Sequence, residues 1–475
     1  VNAGGRRLAW GLALAVLAAA LLRFWDLGRQ GFWADEMYSL NAARQSLWQV
    51  LADRDQTPPL HNLVLHFWIR VAGESELAVR VPAAVFGVTA VPLLHAVAAR
   101  LYDRRVGVLA ASLLALSLHH VVNARDARAY SLLVLLALAS MWAYLRLLER
   151  RRAAGPAYVV LTALLLYSHL FGVFIVAAQW AYQTLPGRHP RVPAARWLQL
   201  QAGVLLLFAP WLGILAERAS RVAGGFWIPA PAWHHLLDTA VLFAGSLLLL
   251  AAFAATLLAA RYRGAPPMAG GVPGPGRGRA PLLVLWLVVP VALPLLLSLH
   301  TQVFTPKYAI AASVPLYVVV AAAALRLRAP WRTVAVAGLL VASAATVGLH
   351  QMAGEPEDSK EDWRAATAYV EAEAPPGALV LFNDGYCDST TDRDWQCAFE
   401  HYGDRSDLRL VPFLQQRPVT DADLPALRRI VANETEVWLV YGYATDGHRI
   451  GDELAAQHGE PEATLFKRLR VERYH

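Results

Sequence analysis

Long apolar blocks separated by short polar turns follow one another from Leu8 to about position 350. The first, Leu8 to Trp25, covers 18 residues, roughly 27 Å at about 1.5 Å per residue, close to the depth of a bilayer's hydrocarbon core. Ten more lie at about 80–101, 105–122, 129–148, 156–169, 170–186, 196–216, 234–260, 281–299, 308–325 and 331–350. The stretch PPLHNLVLHFWIRVAG, residues 58–73, breaks the pattern. It is short, opens on two prolines and carries His61, Asn62, His66 and Arg70, which predicts a helix lying in or under the outer interface. Beyond Glu355 the pattern shifts to the alternation of a soluble α/β layer. Helices are predicted in KEDWRAATAYVEAEA and near 421–432 and 448–457, and strands in ALVLFND, EVWLVYGY and ATLFKRLRVERY. The expected fold class is an α-helical polytopic membrane protein of about eleven spans, residues 1–354, followed by a small α/β domain, residues 355–475.

Arginines orient these spans. If residues 58–73 do not cross and the N-terminus is cytoplasmic, the loops bearing Arg100/Arg104/Arg105, Arg146/Arg150/Arg151/Arg152, Arg188/Arg191/Arg196, Arg261/Arg263/Arg277/Arg279 and Arg326/Arg328/Arg332 all fall inside, as do Arg6 and Arg7. If they do cross, every one of those loops turns outward, against the positive-inside tendency. The reading is therefore N-terminus in and C-terminal domain out. The first apolar run lacks an A-x-A-like site followed by a mature start and is read as a retained anchor.

Composition agrees. The chain is 56% hydrophobic and 17% charged, too apolar for an ordinary soluble enzyme of 475 residues. Its net charge of +7 conceals a split, −11 for residues 355–475 and +18 for the rest, which suggests two bodies in different surroundings. Basic loops flank membrane spans in any case, and no nucleic-acid motif is present. The Gly/Pro-rich stretch 264–280 reads as a disordered linker. The two cysteines, Cys387 and Cys397, both lie in the acidic tail, where an extracytoplasmic location predicts that they pair.

Candidate chemistry gathers on the outer side. GFWADEMYSLNA, residues 31–42, sets Asp35 and Glu36 just beyond the first span. A carboxylate there, with a reference pKa of about 3.9, stays ionised near water and can accept a proton from an attacking hydroxyl. Asp35 can equally cap the helix predicted in EMYSLNAARQSLWQVLAD, and the two roles are compatible.

ADEMYS after the first span, the D-x-x-PPL of Asp55 to Leu60, RVPAAVFG at 80–87, ARDARAYSL at 124–132, SHLFG at 168–172 and KYAIAASVP at 307–315 together resemble the bacterial glycosyltransferase family 39 branch of the GT-C superfamily. That branch is similar to protein O-mannosyltransferases and to the aminoarabinose transferase of lipid A. The resemblance implies a GT-C fold and a sugar donor linked through one phosphate to a polyprenol. It also implies inverting transfer to a hydroxyl of a lipid, glycan or protein acceptor, with Asp35 as general base and Glu36 orienting the site or touching the sugar. The departing phosphate calls for cations or hydrogen-bond donors, for which Arg128, Lys307, His169 and Tyr308 are the candidates, with Asp55, Asp126 and Tyr130 as further site residues.

Two positions depart from the family pattern. Lys307 stands where Arg is more usual, which puts bidentate phosphate binding in doubt, and Asp126 stands where Glu is more usual. Each candidate also has a structural reading: interfacial snorkelling for Lys307, a local ion pair for Arg128, a satisfied helix end for His169. The histidines His61, His119, His120, His234, His235 and His300 show no ligand spacing of a known kind, and the chemistry requires no cofactor while remaining compatible with a divalent metal. The rival reading is a lipid or sugar transporter or flippase. Such proteins place ionisable groups near the bilayer midplane, whereas here only His95 lies well inside a predicted span.

Overall fold

The structure, a computed structural model, describes residues 3–52, 58–151, 153–187, 189–223, 232, 234–263, 279–354, 360–382, 394–413, 419–442 and 448–475. The pairing expected of Cys387 with Cys397 and the site role of Asp55 lie outside the described residues, as does nearly all of the Gly/Pro-rich stretch.

The helices follow the apolar blocks. In chain order they are α1 (Ala3–Phe24), α2 (Ala34–Arg44), α3 (Leu47–Ala52), α4 (Leu60–Ala72), α5 (Glu76–Leu101), α6 (Arg104–Ala115), α7 (Leu118–Ala124), α8 (Tyr130–Leu148), α9 (Ala154–Ser168), α10 (Gly172–Thr184), α11 (Ala194–Ala223), α12 (His234–Ala244), α13 (Leu247–Arg263), α14 (Ala280–Leu297), α15 (Val314–Arg326) and α16 (Trp331–Ala353). Among the described residues six of these, α1, α5, α8, α11, α14 and α16, are long and apolar enough to cross a membrane, and three bent pairs raise the number to nine. The helices α9 and α10 are shorter, at 15 and 13 residues. At 13 residues α4 spans about 20 Å, short of a bilayer core of about 30 Å.

The bent pairs correct three blocks expected to be continuous. At the 59° bend between α6 and α7 the continuing helical ladder is interrupted; Leu114 O accepts a tight-turn bond from Ser117 N–H at 3.3 Å, and the Arg23 guanidinium donates to Leu114 O at 3.2 Å and Ala115 O at 3.0 Å. The 84° bend between α12 and α13 falls at Gly245, whose φ of +100° suits glycine. A 3₁₀ turn, Pro306–Ala312, meets α15 at 53°, with Pro315 in the first turn of α15.

Two compact units emerge. The first is Val1–Trp25, Leu51–Val64 and Arg80–Met352. At its centre lies α8, whose apolar window is 78% buried, against 17% for α1 and for α16. Polar groups on α8, α9, α10 and α11 tie these helices together: Ser140 Oγ lies 2.8 Å from Thr162 Oγ1, Gln179 Nε2 donates to Ser140 Oγ at 3.1 Å, Tyr158 Oη donates to Gln179 Oε1 at 2.7 Å, and Gln201 Nε2 donates to Tyr158 Oη at 3.0 Å. In an apolar surrounding such mutually satisfied groups act as interhelical contacts.

The second unit is Asp26–Val50, Leu65–Val79 and Ala353–His475. Its sheet has the order β2-β1-β3-β5-β4, from β1 (Leu379–Phe382), β2 (Arg409–Pro412), β3 (Val437–Tyr441), β4 (Glu462–Phe466) and β5 (Leu469–Tyr474). The first three strands run parallel, and β5 is antiparallel to both β3 and β4. The strands β1 and β3 are buried throughout, as central parallel strands covered on both faces should be. Helices α17 (Trp363–Glu373), α18 (Asp394–Tyr402), α19 (Leu424–Val431) and α20 (Arg449–His458) complete the layer. The single strand expected in ATLFKRLRVERY is instead a hairpin that turns at Lys467, with φ +56°.

Candidate functional site

Asp35 and Glu36 belong to the second unit, and Arg128 and Lys307 to the first.

In the second unit, the helix expected over residues 36–53 starts earlier and breaks early. At Gln45 the backbone becomes extended, and Ser46 and Gln49 form a reciprocal cap, with Ser46 N–H donating to Gln49 Oε1 at 3.1 Å and Gln49 N–H to Ser46 Oγ at 3.5 Å. The start of α2 decides the role of Asp35. Trp33 occupies the N-cap and has no side-chain acceptor, so Asp35 lies inside the first turn and is not the cap. The cap acceptor comes from far along the chain: Glu361 Oε2 accepts from Ala34 N–H at 3.1 Å. Glu361 is itself buried, as is Glu36, while Asp35 is half-exposed.

The chain entering α2 is held by the same tail. Tyr402 Oη accepts from Phe32 N–H at 2.6 Å and donates to Glu76 Oε1 at 2.9 Å, and Glu76 also pairs with Arg364, which donates to Arg29 O at 3.0 Å. Phe32 packs on His401, ring centroids 5.3 Å apart, and the Lys360 ammonium lies 5.5 Å from the centroid of the Trp33 ring. A side chain at Gly31 would meet Arg364 Cβ at 3.2 Å. Burial and Glu76 push the Tyr402 phenol above the usual tyrosine range, so it remains a neutral O–H donor.

In the first unit, three of the expected donor-binding residues, Lys307, His169 and Tyr308, come together around Tyr130, a further candidate. Tyr308 stacks on Tyr130 at 6.1 Å, His169 meets Tyr308 edge-on at 5.2 Å and Tyr130 at 5.8 Å, and the Lys307 ammonium lies 5.2 Å from the Tyr130 centroid. Phe171, not singled out from the sequence although it stands in SHLFG, closes the cluster against His169 and Tyr308. Its N–H donates to His169 Nδ1 at 3.1 Å, so a neutral His169 carries its ring proton on Nε2 and presents a donor there.

Asp126 and Arg128 sit in the bend between α7 and α8, where Arg128 N–H donates to Asp126 O at 2.7 Å. Asp126 is buried and Arg128 half-buried. Burial pushes the His61 imidazole down to about 4, and the Arg128 charge adds to this against the opposing contact with Asn62, so His61 is neutral at neutral pH. His120 Nε2 lies 2.7 Å from Ser313 Oγ, and since Ser313 donates to Ile310 O, His120 is the donor of that pair. Asn123 donates to His119 Nδ1 at 3.2 Å. Among the described residues no group of three or more His, Cys, Asp or Glu is arranged to hold a metal ion.

Residues 56–214 match the model of the dolichyl-phosphate-mannose-protein mannosyltransferase family. No curated protein matches the chain in sequence. Among solved structures, ArnT from Cupriavidus metallidurans superposes with a TM-score of 0.62 at 11% identity, over 99% of this chain and 98% of that one. The same protein bound to undecaprenyl phosphate gives 0.60 at 12% identity over the same shares. The archaeal oligosaccharyltransferase AglB from Archaeoglobus fulgidus, in complex with an inhibitory peptide and a dolichol-phosphate, gives 0.54 at 12% identity over 92% of this chain and 70% of that one. At these identities the likeness is one of fold. The mannosyltransferase pattern of residues 56–214 thus lies inside a fold like that of ArnT, and in both respects the chain is similar to GT-C membrane glycosyltransferases.

Proposed function

We propose that the chain moves a sugar from a polyprenyl-monophosphate donor to an acceptor hydroxyl on the extracytoplasmic face, with inversion. Asp35 takes the hydroxyl proton as the acceptor oxygen attacks the anomeric carbon. The bond from that carbon to the phosphate oxygen breaks, and polyprenyl phosphate departs. Lys307, Arg128, His169 through Nε2–H, and the Tyr308 hydroxyl meet the charge that grows on the leaving phosphate. Buried Glu36 orients the acid helix or contacts the sugar, while Asp126, Tyr130 and Asp55 complete the site. The observation that carries this reading is the whole-length likeness to a protein whose structure is known with undecaprenyl phosphate bound. AglB, whose structure holds a dolichol-phosphate, supports the same donor class.

The arginine-rich loops support an N-terminus inside and a tail outside, in a bacterial inner membrane, with residues 1–354 as the catalytic membrane domain and 355–475 as an extracytoplasmic domain closed by a Cys387–Cys397 bridge. Asp35→Asn is the direct test, because the amide keeps the shape but does not take the proton. It is expected to abolish transfer from a lipid-linked sugar while the donor still binds. Near wild-type turnover would leave Asp35 without a part in the chemistry. Mass spectrometry of co-purifying lipid tests the donor class separately, a polyprenyl phosphate or its sugar adduct being the expected species.

A further inference from the structure

The acid helix has no cap of its own. Trp33 at the N-cap offers no acceptor, and the first orphan N–H of α2, that of Ala34, is satisfied by a carboxylate 327 residues away in sequence. The approach to the helix is fixed in the same way. The Phe32 N–H ends on Tyr402, Tyr402 ends on Glu76, and Arg364 bridges Glu76 to the Arg29 carbonyl. At Gly31 the approach is close: an added Cβ would lie 3.2 Å from Arg364 Cβ, so that neighbour would have to give by a few tenths of an ångström. Every backbone group named here lies within six residues of Asp35, and the tail supplies each of the groups that hold them.

We propose that the C-terminal domain is the positioning frame of the acid helix: Glu361, as its cap, and Tyr402, as the tie on its entry, set where Asp35 stands for proton transfer. This rests on Asp35 being the base. Both are positioning residues that act through α2 and do not touch substrate. Glu361 acts by accepting one hydrogen bond, and an amide oxygen accepts the same bond, so Glu361→Gln should serve where Glu361→Ala does not. Displacing a reacting group by an ångström slows a reaction far more than it weakens binding.

The experiment uses the full-length protein in lipid nanodiscs, with hydrogen–deuterium exchange of the peptide covering residues 31–42 and steady-state transfer measured on the same samples. Glu361→Ala is expected to raise exchange in that peptide and to lower kcat by about 10- to 100-fold with the donor KM unchanged. Glu361→Gln is expected to restore both. Should Glu361→Ala not fold, Tyr402→Phe keeps the proposal testable, since it removes only the hydroxyl between Phe32 and Glu76 and should likewise raise exchange and lower kcat. Unchanged exchange at 31–42, a loss confined to KM, or a Glu361→Gln variant as impaired as Glu361→Ala would each overturn the proposal. Failure of the base assignment is seen elsewhere, in an active Asp35→Asn variant, whatever the exchange shows.

Discussion

Lys307 holds its ammonium 5.2 Å from the centroid of the Tyr130 ring, and the same ring stacks on Tyr308, the residue next to Lys307 in sequence. A cation over an aromatic face is attracted by the ring's quadrupole, which helps to fix where the ammonium stands.

Lys307→Met should therefore lower kcat/KM for transfer by about 100-fold, the scale of one preorganised donor lost from a developing anion. Lys307→Arg should keep most of the activity, because guanidinium also stacks on tyrosine and also serves phosphate. Initial rates at varied donor concentration decide it. Wild-type rates from the methionine variant would return Lys307 to a purely interfacial role.

Much of this fold was legible, for reasons that particular residues make plain. Spans such as Tyr130–Leu148 are read from uninterrupted apolar runs, because a helix in lipid must satisfy every backbone group within itself. The bend after Ala115 has no glycine or proline to announce it and depends on Arg23, 91 residues distant from Leu114, to accommodate the broken end. Gly245 did signal its bend, yet the apolar run continues across it. The break at Gln45 was readable in the Ser46-x-x-Gln49 spacing. Tyr130, His169 and Tyr308 were each singled out from short contiguous motifs, but nothing in those motifs marked them as one aromatic cluster. Glu361 and Tyr402 were not, because their partners at Ala34 and Phe32 are more than 300 residues away and nothing local marks them.

Arg23→Met should destabilise the membrane part by about 1–3 kcal/mol, since the carbonyls of Leu114 and Ala115 lose their buried donor. Gly87→Ala should act on the same contact. Its added Cβ would lie 2.9 Å from Arg23 Nε and 2.7 Å from Ala124 Cβ, so the guanidinium or a helix must shift. Both variants should melt at lower temperature in detergent, and together they should cost less than the sum of the two, because they disturb one site. Full additivity would show that Gly87 matters for another reason.

Topology is open to a separate test. In a Cys-free background, single cysteines at positions 104, 189 and 270 should react only with membrane-permeant reagents if these loops are cytoplasmic. Position 104 is preferable to its neighbour because Asp103 caps α6, accepting from Arg105 N–H and Val106 N–H at 2.8 and 2.9 Å. Labelling of position 104 by an impermeant reagent in intact cells would turn the loop outward and remove Asp35 from the face on which Arg128 and Lys307 are expected.

His401 gives the second unit a pH dependence whose sign follows from its surroundings. Burial, and next the charge of Arg44, hold its imidazole below its ordinary value; Arg364 acts the same way, while Glu76 and Glu74 oppose them. Arg44 Nη2 lies 3.0 Å from Nδ1, so the neutral ring accepts that bond and a protonated ring would lose it. In the unfolded chain the same imidazole titrates near about 6.5. Below that pH the unfolded state binds more protons than the folded one, so the stability that His401 contributes is fully present above about 6.5 and falls as the pH drops towards the folded pKa. Thermal unfolding of the full-length protein should thus occur at a lower temperature at pH 5.5 than at pH 7.5, and His401→Gln should reduce the difference. Because Phe32 packs on this ring, protection at residues 31–42, taken relative to the intrinsic exchange rate at each pH, should fall over the same interval in the wild-type protein. An equal pH response in the glutamine variant would place the titrating group elsewhere.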